Sequence, residues 1–205
     1  YDDAHIDLRM LARFVEARSI VDEAIGLDLA NRQVSFARRP PVSYDVLSIG
    51  IGSTPNVTVA GAVEHAIPVK PIDQFLERWT ALSARLLETT APTRIAVVGG
   101  GAGGVELLLA VQHHVAKLRT GSGRDSTHLE YHLFTESNEV LPTHNRTVRR
   151  VFERILRERG IRVHVGCAVV EVLPSQLRTA DGQVHAIDEV LLTTQAAAAP
   201  WLAAS

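Results

Sequence analysis

The fold turns on one stretch: Arg94-Ile95-Ala96-Val97-Val98-Gly99-Gly100-Gly101-Ala102-Gly103-Gly104-Val105-Glu106-Leu107-Leu108-Leu109-Ala110. Four consecutive apolar residues rich in β-branches suit a strand buried on both faces. The glycine run then leads directly into an Ala/Leu-rich segment that suits a helix. Gly99, Gly101 and Gly104 satisfy the spacing G-x-G-x-x-G. The first permits a tight turn, the second lets a pyrophosphate approach the backbone, and the third lets helix and strand pack closely. A pyrophosphate would rest on the free N–H groups and positive dipole end of a helix that starts near Ala102. Gly99, Gly100, Gly101, Ala102, Gly103 and Gly104 are therefore the candidate phosphate-binding residues. A purely structural turn, or the adenosyl-binding turn of a methyltransferase, remains the alternative.

The second half of such a fingerprint is an acidic residue ending the next strand, where it meets the ribose hydroxyls. Residues 130–136 supply a strand and end on Glu136. The separation exceeds the roughly 20 residues of the simple pattern. A helix that continues to Arg119 and a Gly/Ser/Asp/Thr loop over residues 120–127 account for the excess. A carboxylate at this point favours NADH, and no arginine follows directly to welcome a 2′-phosphate. The alternative for Glu136 is a solvated strand-end charge.

At 205 residues with 46% hydrophobic content and a formal net charge of −2, the chain has the composition of a soluble globular enzyme. Nothing basic points to nucleic acid. No apolar run approaches the roughly 20 residues of a membrane span, and no signal-peptide pattern opens the sequence. The single cysteine, Cys167, excludes an internal disulfide framework and fits a reducing, cytoplasmic setting. The chain begins at Tyr1, has its only methionine at Met10 and ends on an Ala-rich segment, so it reads as a piece of a longer protein.

Along the chain, apolar spacing over residues 7–17 predicts a surface helix capped by Asp3 or Asp7. Short β-prone stretches at 19–22, 24–28 and 33–36 predict an antiparallel meander, interrupted by Pro40-Pro41. Residues 44–51 read as a strand that ends in a Gly-Ser-x-Pro turn, where Gly52 and Ser53 let the backbone approach a ligand. Pro68-Val69-Lys70-Pro71 is the expected domain boundary. An amphipathic helix follows over 72–88, with Phe75, Trp79, Leu82 and Leu86 on its inner stripe. A second helix over 145–159, with Val148, Val151, Phe152, Ile155 and Leu156 inward and Gly160 at its end, leads to a strand over 161–166. Two β-α-β steps imply a parallel sheet. A small antiparallel flap over 168–187, turned at Asp181-Gly182, and a last apolar strand over 189–193 complete the reading.

These residues resemble a known family, the two-dinucleotide-fold flavoproteins of the pyridine nucleotide-disulfide oxidoreductase type. Three motifs match in order. Tyr44-Asp45-x-Leu47 to Gly52-Ser53-x-Pro55 is similar to the signature near the flavin, the stretch from Arg94 to Glu106 looks like the nicotinamide-nucleotide fold, and Val140-Leu141-Pro142 through Gly160-Ile161 looks like the next β-α-β step. A narrower similarity lies in Asp3-Ala4-His5-Ile6-Asp7-Leu8, Val69-Lys70-Pro71-Ile72-Asp73, Pro142-x-His144-Asn145 and Ala199-Pro200-Trp201-Leu202. These look like the NADH-dehydrogenase-like module fused to or associated with selenide, water dikinase.

The resemblance implies an α/β, Rossmann-like nicotinamide-nucleotide domain over residues 68–205, with a parallel central sheet and an antiparallel flap. Residues 1–67 would be the middle segment of an incomplete FAD-binding domain. It implies an oxidoreductase in which hydride passes from NAD(P)H to FAD, the cofactors carrying the chemistry. No side chain is then required as a catalytic nucleophile. No Cys-x-x-Cys is present, so electrons would leave the flavin for an external small-molecule acceptor such as a quinone or a selenium compound. A selenophosphate synthase domain and a second copy of the chain in a homodimer are the macromolecular partners that come with the resemblance. Glu106 matches the family's acidic position near the nicotinamide; a first-turn glutamate favoured by the helix dipole is the alternative. The flavin's own glycine fingerprint and its closing Gly-Asp motif are not in the sequence, so the piece is expected to be inactive alone. Thr193-Thr194-Gln195 replaces the usual Ala-Thr-Gly, and a side chain at Gln195 would crowd the cofactor. A non-catalytic nucleotide-sensing or docking module is the alternative function. Cys167, placed in a strand, is expected to act as a small buried hydrophobe. The adjacent His113-His114, and His128 with His132, lack the ligand spacing of a metal site.

Overall fold

The computed structural model describes residues 6–52, 54–55, 59–193 and 196–205. These divide into two compact units, one from residues 1–52 with 198–205 and the other from residues 53–197. Asp3 and the remainder of residues 1–5, Ser53, Thr194 and Gln195 lie outside the described residues.

In the first unit, helix α1 (Leu8–Phe14) starts as the sequence predicts, with the Asp7 carboxylate accepting from the Arg9 backbone N–H. It buries no residue, and Leu8, Met10 and Phe14 stand exposed. β1 (Ala24–Asp28) and β2 (Gln33–Phe36) pair antiparallel, and the Asp28 carboxylate closes their turn by accepting from the Asn31 amide. Two expectations are corrected here. Residues 19–22 form no strand; the third strand is β3 (Val42–Ser43), which pairs with β2. Pro40-Pro41 thus turn the meander back on itself rather than ending it. Residues 44–51 also form no strand, and Val46, Ile49 and Ile51 are exposed. An apolar run becomes a strand only beside a neighbour that takes its backbone hydrogen bonds, and here Tyr44 N–H alone finds one, at Arg32 O, with no strand pairing beyond it among the described residues.

The second unit is built on a five-stranded parallel sheet in the order β5 (Ile67–Pro68), β12 (Glu189–Leu192), β6 (Thr93–Val98), β7 (Leu129–Phe134) and β8 (Arg162–His164). Its elements are β4 (Thr54–Pro55), α2 (Ala62–His65), β5 (Ile67–Pro68), α3 (Ile72–Glu88), β6 (Thr93–Val98), α4 (Ala102–Gly121), β7 (Leu129–Phe134), α5 (Arg146–Glu158) and β8 (Arg162–His164). β9 (Val169–Leu173), β10 (Gln176–Thr179) and β11 (Val184–Ala186) form the antiparallel flap. β12 (Glu189–Leu192) returns to the sheet beside β6, and β13 (Ala196–Ala197) pairs with β4. The first unit also takes up α6 (Pro200–Ala203).

Side-chain alternation divides the core into two layers. Ile95 and Val97 of β6, with Tyr131 and Leu133 of β7, face a cluster built by Phe75, Leu82 and Leu86 of α3, by Val105, Leu108 and Val111 of α4, and by Leu156 of α5. Ala96, Val98 and Phe134 face the other way, beneath α2 and the flap residues Val172 and Leu177. Each central strand is therefore covered on both faces, the condition under which a parallel sheet is stable. Asn145 caps α5 by accepting from the Val148 N–H at 3.0 Å, and Gly160 ends it at φ 68°. Val151, expected inward, is exposed. α2 packs on β9 and β5 edges the sheet, so the second unit includes residues before Pro68 that the sequence reading gave to the first domain.

No helix among the described residues is long and apolar enough to cross a membrane.

Candidate functional site

At the carboxyl ends of β6, β7 and β12 the chain leaves the sheet, and there a cavity of about 540 Å³ opens. Its wall is made by Val98 to Gly101 at the end of β6, by Phe134 to Ser137 at the end of β7 and by Thr193 after β12. Pro142, Thr143, Val59 and Cys167 to Val169 complete it. This is where open α/β sheets place their ligands.

The three motif glycines stand in three different situations. Gly99 has φ 125°, and a Cβ there would come within 2.5 Å of the Thr193 hydroxyl. A Cβ on Gly104 would run into the carbonyl oxygen of Gly99, so α4 can cross the end of β6 only on a glycine. A Cβ on Gly101 would meet nothing within 4 Å, and Gly101 lines the cavity. The turn, close-packing and open-approach requirements read from the motif thus each correspond to a distinct local geometry. Gly100 adds a fourth that the motif does not encode: a Cβ there would meet Thr135 at 2.5 Å.

Two backbone hydrogen bonds and one from a side chain hold this loop. Gly99 N–H donates to Phe134 O at 2.8 Å, Leu141 N–H donates to Gly100 O at 2.8 Å, and the Thr193 hydroxyl donates to Val98 O at 3.0 Å. Gly101 is the N-cap of α4 and offers no side chain to the first-turn N–H groups. These donors have no partner within the helix, which leaves them for a ligand.

Glu136 lies two residues past β7, exposed, on the wall of the same cavity as Gly99 to Gly101. It forms no ion pair among the described residues. Ala102, Gly103 and Gly104 belong to the first turn of α4 and do not line the cavity, and Glu106 is exposed on the same helix away from the lining. Gly52 belongs to the first unit, exposed with φ 72°. Ser53 and Gln195, on which two expectations rested, fall outside the described residues.

Cys167 is not in a strand as expected, though it packs, partly buried, against the core layer of Ala96, Val98 and Phe134. It sits in the loop between β8 and β9, half-buried, with its thiol donating to Val165 O at 3.3 Å and its flank on the cavity. Thr135, Thr193 and the stretch from Cys167 to Val169 are lining residues that the sequence reading missed. The signal for the first two was available, since each directly follows the end of a parallel strand.

Among the described residues no group of three His, Cys, Asp or Glu side chains could hold a metal ion.

The description that matches by family is pyridine nucleotide-disulphide oxidoreductase, over residues 11–198. The chain is 30% identical over 138 residues to the NADH dehydrogenase-like protein YutJ of Bacillus subtilis, a match that takes in 67% of this chain and 35% of that protein. It is likewise 30% identical over 170 residues to a type II NADH:quinone oxidoreductase of Haemophilus influenzae, covering 72% of this chain and 38% of the relative. The chain thus spans little more than a third of these relatives. Among solved structures, the sulfide:quinone oxidoreductase of Aquifex aeolicus superposes over 100% of this chain and 48% of its own, with TM-score 0.79 and 17% identity. NDH2 of Plasmodium falciparum in complex with NADH superposes over 88% of this chain and 41% of its own, with TM-score 0.69 and 17% identity. The structural likeness establishes the Rossmann-like fold, and the match over residues 11–198 establishes that the chain belongs to the pyridine nucleotide-disulphide oxidoreductase family.

Proposed function

We propose that this chain is the NAD(P)H-binding part of an FAD-dependent oxidoreductase that moves hydride from NADH to flavin and on to an external small-molecule acceptor, without a redox disulfide. The observation that carries the reading is the meeting of the glycine loop and Glu136 on one cavity wall, with the face of Gly101 open. The residues fit a dinucleotide: the α4 first-turn N–H groups would take the pyrophosphate, and the Glu136 carboxylate would accept from the ribose hydroxyls. The nicotinamide supplies a hydride when bound, and the protein's share is to bind and orient. Gly99 and Gly104 contribute by keeping β6 and α4 close enough for those N–H groups to converge. Cys167, the chain's only cysteine, has no second thiol in this sequence with which to form a redox pair. An acceptor of the quinone class is proposed by analogy with the names of the relatives.

Titration of the chain with NADH and NADPH tests the assignment. NADH is expected to bind tighter by about tenfold, about 1.4 kcal/mol, and Glu136→Gln is expected to remove most of that margin. Equal affinity in the unaltered chain would refute the role of Glu136 while leaving the glycine loop in place. The finer likeness to modules that accompany selenide, water dikinase rests on the four sequence stretches alone. Co-elution with a purified selenophosphate synthase would test it.

A further inference from the structure

Beneath the flap, three histidines from different strands share one seam. On β7 the period of two puts Glu130, His132 and Phe134 on the flap face, and on β8 it puts Arg162 and His164 there. His185 comes down from β11. The His132 and His164 rings lie parallel at 5.3 Å between centroids, and His132 Nδ1 and His164 Nε2 share a hydrogen bond of 3.0 Å. His164 stacks on Phe134 at 4.2 Å, and His185 stands edge-on to both Phe134 and His164 at 5.0 and 5.2 Å. Nε2 of His132 and Nε2 of His185 are buried without a hydrogen-bond partner. Protonation of both His132 and His164 would confine two positive charges within about 5 Å of each other in a buried seam.

The charges around the seam offer little relief. Arg162 and Arg94 bear on His132 from β8 and β6. Glu130 is 3.7 Å from His132 Nε2 but is already paired with Arg162 at 2.8 Å. At the flap tip, Asp181 lies within electrostatic range of His185, and its carboxylate is held by the Thr179 hydroxyl at 2.6 Å. Glu171 and Arg178 pair with each other on the outer face of the flap, opposite the buried Val172 and Leu177. On β12 and its approach, Glu189 pairs with Arg85 and Asp188 accepts from the Arg94 N–H. Glu64 and His65 of α2 are exposed.

The seam also reaches the cavity. Phe134, on which His164 stacks, is a wall residue. Cys167 to Val169, the passage from β8 into the first flap strand, form another part of that wall.

We propose that the flap is a pH-sensitive element at the edge of the cavity, latched by the neutral pair of His132 and His164 packed against His185, and released when His132 and His164 take up protons. Burial, then the neighbouring His132 and His185 rings and Arg162, holds His164 down at about 4, and burial with Arg162 lowers His132. The released flap exposes both rings, so it takes up protons at the ordinary histidine value of about 6.5 while the latched flap does not. Acid therefore favours release, and the effect grows as pH falls from about 6.5 toward about 4.

Hydrogen exchange read by mass spectrometry on the full chain tests this, without nucleotide and hence independently of the proposed activity. Protection over residues 169–187 should fall by up to about tenfold per pH unit for each linked proton between about pH 7 and about pH 5.5, after correction for intrinsic rates. Protection in α4 should change by less than about threefold. The double variant His132→Leu, His164→Phe should keep the flap protected at the lower pH. Flap protection that ignores pH in the natural chain, flap and α4 losing protection together, or a folded double variant that still opens in acid would each overturn the proposal. If the double variant does not fold, the comparison within the natural chain decides alone.

Discussion

Gly103 and Gly104 are neighbours in α4 with opposite requirements. A Cβ on Gly104 would collide with Gly99 O and come within 2.8 Å of the Thr193 hydroxyl; one on Gly103 would meet nothing. Gly104→Ala should cost about 1–3 kcal/mol through forced repacking. Gly103→Ala should gain up to about 1 kcal/mol from helix propensity. Urea unfolding of the two variants measures the contrast, and equal effects would contradict the packing argument. The spacing G-x-G-x-x-G made Gly99, Gly101 and Gly104 legible because their constraint is local to strand, turn and helix. The need for glycine at position 100 was not legible, since it comes from Thr135, a residue on a different strand. Glu136 was legible as a strand-end acid, while Thr193 became visible only once β12 was known to lie beside β6.

At the scale of elements, α3 was predicted to the residue, because Phe75, Leu82 and Leu86 recur with helical period and all three are buried. Its end has a cause that no local pattern shows. Arg119, 3% exposed in the last turn of α4, donates to the carbonyls of Leu86, Leu87 and Thr89 at 2.6, 3.1 and 3.0 Å. A guanidinium from one helix thus takes the orphan carbonyls of another, and it also donates to Asp125 O. Arg119→Met, which keeps the stem but leaves these acceptors buried, should lose roughly 2–4 kcal/mol. A loss below about 0.5 kcal/mol, the scale of an ordinary surface change, would show that water replaces the cap. Residues 44–51 failed as a strand for the complementary reason: composition names a strand former, but pairing partners make the strand. The histidine seam was hidden because His132, His164 and His185 are separated in sequence, and only the register of β7 on β8 and the fold-over of β11 bring them together.

For the whole molecule, the linkage that releases the flap also sets the acid limit. His132 and His164 have lowered values in the fold, so the unfolded chain binds more protons below about pH 6.5 and stability falls with pH down to about 4. The thermal midpoint should drop across that window, and the drop should be smaller in the double variant His132→Leu, His164→Phe. A midpoint flat between about pH 6.5 and about pH 4.5 would contradict it. The cavity at the strand ends is the proposed nucleotide site, and Gly101 offers its most direct probe. Its backbone is extended, at φ −74° and ψ −178°, and a side chain there enters open space, so Gly101→Val should leave the fold intact. Calorimetric titration with NADH should then show saturable binding by the natural chain and none by Gly101→Val of equal thermal stability. Unchanged binding by the variant, or no binding by a well-folded natural chain, would contradict the assignment of the glycine loop as a pyrophosphate site.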